Sequence, residues 1–145
     1  ILNEIKRKKS DFICLNFANP DMVGHTGNIT AAIKACEVVD TCSGEIIENA
    51  IKNEYSIIVI ADHGNCDVMK NPDGSPNTAH TTNMVPIIIV DKQINKVSDG
   101  ILGDIAPTIL DLMNIDKPPI MTGKSLINWY EKNNNFNKYM SVVFL

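Results

Sequence analysis

Ser56-Ile57-Ile58-Val59-Ile60-Ala61-Asp62-His63-Gly64 decides the architecture of this chain. Its first part is β-branched and apolar without alternation. That is the pattern of a strand buried on both faces, and such strands belong to parallel sheets covered by helices. Its last part sets two ionisable side chains side by side at the strand's end, where burial is costly unless they are paired or liganded. Gly64 is read as the residue that frees the backbone to turn sharply.

Working outward, the turn-rich stretch Asn71-Pro72-Asp73-Gly74-Ser75-Pro76-Asn77 leads into Thr78-Ala79-His80-Thr81-Thr82. A second buried strand is expected over Val85-Pro86-Ile87-Ile88-Ile89-Val90, with Pro86 tolerated only at its first position or on an edge. Asp104 to Met113 has helical spacing with Pro107 in the first turn. A last short helix is expected over 125–131. Upstream, Phe12-Ile13-Cys14-Leu15 reads as a buried strand running into the loop Asn16-Phe17-Ala18-Asn19-Pro20, which delivers Asp21 and His25. From Ile29 the apolar positions Ile29, Ala32, Cys36, Val39, Cys42, Ile46 and Ala50 recur every three or four residues and predict one helix to about Lys52. Gly44 inside it costs about 1 kcal/mol relative to alanine. Strands alternating with helices predict an α/β layered sandwich with a mainly parallel sheet. Ligands in such sheets collect at the carboxyl ends of strands, where both acidic-histidine motifs fall. Residues 1–132 are assigned to this domain, and 133–145, an asparagine-rich tract and an apolar end, are set apart as a tail.

Composition narrows the function. The chain has 145 residues, 13 basic and 17 acidic side chains and a net charge of −4. It carries no run of basic residues that would mark a nucleic-acid partner. No apolar run is long enough to span a bilayer, so no membrane partner is expected. Only one basic residue, Arg7, is an arginine, so a guanidinium clamp for a phosphorylated acid is not expected within this chain. A start at Ile1 rather than methionine suggests missing upstream sequence. Cys14, Cys36, Cys42 and Cys66 show no C-x-x-C spacing and follow no secretory leader, which points to a reducing cytoplasm.

All 3 histidines lie in or near two short motifs, Asp21-Met22-Val23-Gly24-His25 and Asp62-His63-Gly64-Asn65, with His80 beyond the second. Asp21 and His25 are one helical turn apart, so a single cation could hold both. Alone, that pair reads more readily as a turn cap with a surface histidine. Asp62 with His63 reads equally as an Asx turn, and His80 as a loop histidine. Together they form an imidazole and carboxylate set suited to Mn²⁺, Fe²⁺, Co²⁺ or Zn²⁺. Two such cations roughly 3.5–4 Å apart serve phosphoryl transfer. Five ligands do not close two shells, so the remainder must come from water, substrate or protein elsewhere.

Other motifs fail on chemistry. Gly123-Lys124-Ser125 imitates the end of a phosphate loop, but Pro118 stands where the earlier glycine is required. Asn28-Ile29-Thr30 is a glycosylation sequon only in a secreted protein. No G-x-S-x-G elbow is present for a serine hydrolase.

Five strings resemble the carboxyl-terminal part of the cofactor-independent phosphoglycerate mutases, a family of the alkaline phosphatase superfamily. They are Asn16-Phe17-Ala18-Asn19-Pro20-Asp21-Met22-Val23-Gly24-His25-Thr26-Gly27, Ala61-Asp62-His63-Gly64-Asn65, Thr78-Ala79-His80-Thr81-Thr82-Asn83, Asp104-Ile105-Ala106-Pro107-Thr108 and Met121-Thr122-Gly123-Lys124-Ser125-Leu126. The resemblance runs in order from about Asp11 to Ile127. It implies an alkaline-phosphatase-like three-layer sandwich, present in part. It also implies two manganese ions, one held by Asp21, His25 and His80 and the other by Asp62 and His63. A further aspartate, a nucleophilic serine and an arginine-rich substrate domain are implied to lie outside this chain.

The expectation is therefore a fragment of a glycolytic isomerase that interconverts 3-phosphoglycerate and 2-phosphoglycerate through a phosphoserine, with no catalytic side chain of its own and inactive in isolation. Its partners would be phosphoglycerate and the missing amino-terminal and substrate-binding parts. The rival readings are a phosphatase or other phosphomutase of the same superfamily, and an inactive truncated metal-binding module.

Overall fold

The structure, a computed structural model, describes residues 1–130 and 139–144. Its elements are α1 (Leu2–Arg7), β1 (Phe12–Asn16), α2 (Asn19–Gly24), α3 (Ile29–Lys52), β2 (Tyr55–Ile60), β3 (Ile87–Val90), β4 (Ile94–Val97), a 3-10 turn (Leu102–Asp104), α4 (Ile105–Leu112), β5 (Ile127–Trp129) and β6 (Tyr139–Phe144). The main sheet has 4 strands in the order β1-β6-β2-β3. β6 is parallel to both β1 and β2, whereas β3 runs antiparallel on the edge of β2. β4 and β5 form a separate antiparallel pair. The chain is thus α/β with a mainly parallel main sheet, as the strand and helix alternation predicts.

Every residue of β2 is buried. Successive side chains of a strand point to opposite faces, and the two cores follow that rule. Ile57 and Val59 join Ile46 and Ala50 of α3 and Ile5 of α1 on one face. Ile58 and Ile60 join Ile105 and Leu112 of α4, with Leu126, on the other. Burying each such isoleucine contributes about 1.5–3 kcal/mol relative to leaving it in water. Helices α1 and α3 therefore cover one side of the sheet, and α4 with the β4-β5 pair covers the other. These are the three layers of the expected sandwich.

Helix α3 starts where Asn28 caps it, the Asn28 side chain accepting from the Ala31 N–H at 3.0 Å. Its buried positions are Ala32, Val39, Ser43, Ile46 and Ala50. The core-facing stripe is narrower than the predicted one, because Ile29 and Cys36 are exposed and Ser43 replaces Cys42 on the buried side. Glu54, with φ 63, turns the chain from the end of α3 into β2. All four cysteines are free thiols, and no helix among the described residues is long and apolar enough to cross a membrane.

Two expectations are corrected. The strand expected over 85–90 forms only at Ile87–Val90, as a half-exposed edge rather than a buried interior strand. Pro86 falls just before it, in keeping with its missing N–H. The helix expected over 125–131 is instead strand β5, with Glu131 outside the described residues. Here tertiary partners overrule local spacing: the Leu126 N–H donates to Thr108 Oγ1 at 3.0 Å, Ser125 Oγ donates to Asp111 Oδ2 at 2.7 Å, and Ile127 to Trp129 pair with β4. Of the tail at 133–145, residues 139–144 form β6, in the middle of the main sheet. The asparagine-rich tract lies outside the described residues.

Candidate metal centre

The registers bring Asn16 of β1, Phe144 of β6 and Ile60 of β2 level with one another. The carboxyl ends of three parallel strands thus share one rim, and the loops that follow β1 and β2 open onto it. After β1 the chain enters α2, with Pro20 in its first turn, where its missing N–H is harmless. One turn separates Asp21 from His25, the residue just past the end of α2.

Three ligand-type atoms meet there. His80 Nε2 lies 2.9 Å from Asp21 Oδ1 and 3.0 Å from His25 Nε2, and His25 Nε2 lies 3.2 Å from Asp21 Oδ1. The His25 Nδ1 is 2.7 Å from the Thr78 carbonyl oxygen. A carbonyl can only accept, so Nδ1 carries the proton and donates. In the neutral ring this leaves the Nε2 lone pair aimed at the Asp21 carboxylate and at His80. With both rings neutral, His80 Nε2–H is the one ring donor among these three atoms, the Asn65 amide adds a second toward Asp21 Oδ1, and the remaining lone pairs converge. A divalent cation offsets them better, and a histidine that gives its second N–H to a carbonyl is the usual form of a metal-binding imidazole. Neighbouring ligands on one cation with bonds of about 2.1 Å stand roughly 3.0–3.4 Å apart, so the observed triangle fits.

His63 widens the cluster. Its ring stacks on His80 with centroids 3.7 Å apart, and ligand atoms of Asp21, His63 and His80 all lie within 4.8 Å of one another. His63 Nδ1 is buried with no hydrogen-bond partner among the described residues. Asp62 stands further out: its Oδ1 is 3.7 Å from His63 Nε2, and its side chain is 57% exposed. The structure therefore draws Asp21, His25 and His80 into one tight set, lays His63 against it, and leaves Asp62 on the rim. A cleft of about 340 Å³, lined by Asp62, His63, Thr81, Asn83 and Leu102 among others, opens beside Asp62 and His63.

The electrostatics of Asp21 follow from its neighbours. Burial alone would raise its carboxyl pKa, but the hydrogen bond from Asn65 and the His25 and His80 imidazoles outweigh burial and hold it below the ordinary value. Asn65 Nδ2 donates to Asp21 Oδ1 at 2.8 Å and is itself buried. A Cβ on Gly24 would collide with the Asn65 side chain, so glycine at this position lets α2 approach the loop after β2.

Gly64 differs from its expected role. It is absent from the glycines with positive φ, and what requires it is crowding, since a Cβ there would collide with Thr81 Oγ1 and sit 2.9 Å from Asp67 Oδ1. The Thr81 N–H donates to the Gly64 carbonyl at 2.8 Å, which ties the His80 loop to the loop after β2. Asn65, Asp67 and the Thr78 carbonyl are site residues that motif reading missed as such. Asn65 stood within the second motif and Thr78 beside His80 in a quoted string, but Asp67 carried no such signal.

Residues 1–117 match the metalloenzyme superfamily. The chain is 62% identical over 127 residues to the 2,3-bisphosphoglycerate-independent phosphoglycerate mutase of Flavobacterium johnsoniae, a match spanning 88% of this chain and 25% of that protein. To the protein of the same name from Moorella thermoacetica it is 54% identical over 121 residues, spanning 82% of this chain and 24% of that one. A crystal structure of Leishmania mexicana phosphoglycerate mutase, determined at low cobalt concentration, aligns with a TM-score of 0.79 and 29% identity, over 88% of this chain and 27% of that chain. The chain spans about a quarter of the length of the curated relatives it matches. A match across most of its length, with its imidazoles and carboxylates gathered at one rim, establishes that this chain belongs to the metalloenzyme superfamily.

Proposed function

We propose that this chain supplies the metal-binding quarter of a cofactor-independent phosphoglycerate mutase, an isomerase that interconverts 3-phosphoglycerate and 2-phosphoglycerate in glycolysis. The observation that carries the proposal is the triangle of Asp21, His25 and His80, with the His25 tautomer set by the Thr78 carbonyl. In this reading those three residues hold one divalent ion, and Asp62 with His63 contribute to a second. Manganese suits the mixed carboxylate and imidazole donors, and the use of cobalt with the Leishmania mexicana enzyme supports a first-row divalent ion.

Bound ions supply Lewis acidity that activates an oxygen nucleophile and steadies charge on a phosphoryl group. The chain's own part is orientation. Asn65 fixes the Asp21 carboxylate, the Thr78 carbonyl fixes the His25 ring, and His63 stacks against His80. The cleft beside Asp62 and His63 leaves room for the phosphorylated substrate. The serine that carries the phosphoryl group and the arginines that grip phosphoglycerate belong to the remaining parts of the enzyme, so the isolated chain turns over no substrate. Its four free thiols suit the reducing cytoplasm, where glycolysis runs.

The test is a graft. The matching quarter of the Flavobacterium johnsoniae relative is replaced by this chain's sequence, and conversion of 3-phosphoglycerate to 2-phosphoglycerate is followed with added Mn²⁺. Turnover that disappears on chelation and in the His25→Ala, Asp62→Ala and His80→Ala grafts is expected. Near-normal turnover in any of those variants would overturn the ligand assignment, and a graft that only hydrolyses phosphate esters would replace mutase with phosphatase.

A further inference from the structure

The proposed ligand set comes from three separate segments, α2 with its end, the loop after β2 and the loop around His80, and His80 is the ligand with the least local support, because it follows the long turn-rich stretch 71–77. Its neighbour is the anchor. Thr81 Oγ1 donates to Asp67 Oδ2 at 2.9 Å and to Oδ1 at 3.2 Å, and Asn83 Nδ2 donates to Asp67 Oδ2 at 2.7 Å. One carboxylate on the loop after β2 therefore takes both polar side chains that flank Thr82 on the His80 loop. The Thr81 N–H bond to the Gly64 carbonyl runs parallel to this clasp. On the other side of the excursion, Asn77 Nδ2 donates to the Val68 carbonyl at 2.8 Å.

We infer that Asp67 is a positioning residue for the metal centre: it holds no ion, but by clasping Thr81 and Asn83 it sets where His80 presents Nε2 to Asp21 and His25. This deepens the proposed function and rests on its ligand assignment. Three features of the site support it. Asp67 is exposed and plugs no core, so its hydrogen bonds do not serve burial. Its carboxyl is held below its ordinary pKa by the Asn83 amide first, and burial, which raises it, does not offset that together with the Thr81 hydroxyl and nearby backbone N–H groups. It therefore stays an anionic acceptor at neutral pH. Gly64 leaves room for this clasp, since a side chain there would strike both Thr81 and Asp67. Groups that orient a metal ligand without touching the metal typically change metal affinity by about 10–100-fold when removed.

The experiment is a Co²⁺ titration of the full chain followed by visible absorption, which reports both affinity and the arrangement of ligands at saturation. Asp67→Ala is expected to weaken binding by about 10-fold or more and to change the saturated spectrum. Asp67→Asn, which keeps an acceptor oxygen, is expected to fall between Asp67→Ala and the parent. Thr81→Val and Asn83→Ala remove one donor each, should each reproduce part of the loss, and carry the test if Asp67→Ala does not fold. A purely structural role would lower the melting temperature and leave affinity and saturated spectrum as in the parent; that result overturns the inference. His80→Ala separates the two levels. If it abolishes tight Co²⁺ binding while the clasp variants bind like the parent, the positioning role fails and the ligand assignment stands. If the parent chain binds no Co²⁺, or His80→Ala binds as the parent does, the ligand assignment fails and the inference falls with it.

Discussion

Two polar clusters flank the same sheet and are built in opposite ways. At the rim, Asp21, His25 and His80 bring a carboxylate oxygen and two ring nitrogens within 3.2 Å of each other, with more lone pairs than N–H groups among them. On the α4 side, Asp104 Oδ1 accepts from the Lys124 N–H at 2.9 Å and Asp104 Oδ2 from the Ile101 N–H at 3.0 Å. Thr108 Oγ1 there donates to the Asp104 carbonyl at 2.7 Å and accepts from the Leu126 N–H. The second cluster is complete, with each acceptor matched to a donor. The first, even with the Asn65 amide donating to Asp21, leaves lone pairs that a cation would offset. Both include strings that resemble the same family, yet one cluster has the donor set of a metal site and the other ties the chain together. The balance of donors and acceptors tells them apart, since buried polar groups that are paired stabilise and those left unpaired cost.

The sharpest way to break this comparison is at His80. His80→Ala is expected to weaken divalent-ion binding by more than about 100-fold, beyond what loss of a mere orienting partner costs, and to leave the thermal midpoint of the metal-free chain unchanged. Calorimetric titration and a melt without metal check both halves. Thr108→Val should do the reverse. Valine keeps the shape but strands the Leu126 N–H, at a cost of about 1–3 kcal/mol in denaturant unfolding, with ion affinity unaltered. A Thr108→Val chain with weakened ion binding would show that the two clusters are coupled.

The Asp104 clamp has a pH signature. The Lys124 N–H first and the Ile101 N–H second hold its carboxyl below the ordinary 3.8. A folded value below the unfolded one stabilises the fold above the unfolded pKa, and that contribution disappears as pH falls through the folded value. Asp104→Asn is therefore expected to be less stable than the parent at neutral pH, with the gap closing as pH drops below 3.8; urea midpoints across that range measure it. A gap that widens on acidification would contradict the clamp. The smallest expected effect lies at the start of α3. Asn28→Ala removes the cap on Ala31 and should cost about 1 kcal/mol, again without changing ion affinity.

Much of this was legible in the residues. The unbroken apolar run through Ile60 announces a strand buried on both faces, and the recurrence through Ala32, Val39, Ile46 and Ala50 announces the helix that covers it. The five candidate ligands stood out only together: each motif alone reads as well as a turn, but all three histidines fall in loops at one edge of the sheet. What stayed hidden depends on partners remote in sequence. β5 has local spacing that suits a helix and becomes a strand because β4 and Thr108 take its backbone groups. β4 itself, Ile94-Asn95-Lys96-Val97, is too polar and short to announce itself. The roles of Asn65 and Asp67 appear only once α2 and the His80 loop are seen against the loop after β2. A lysine in a loop-like Gly-Lys-Ser string imitates phosphate binding until its N–H is found already engaged by the Asp104 carboxylate.

The place of β6 has a consequence for assembly. Among the described residues β1 is joined to the sheet only through β6, and β6 lies far along the chain from both of its neighbours. Without that segment, β1 and β2 would be a strand-width apart, each with an open row of amide and carbonyl groups for any extended peptide nearby. Pairings this distant form slowly. A chain cut before Tyr139 would therefore keep an open slot at the centre of its sheet, next to the rim where the imidazoles and carboxylates gather.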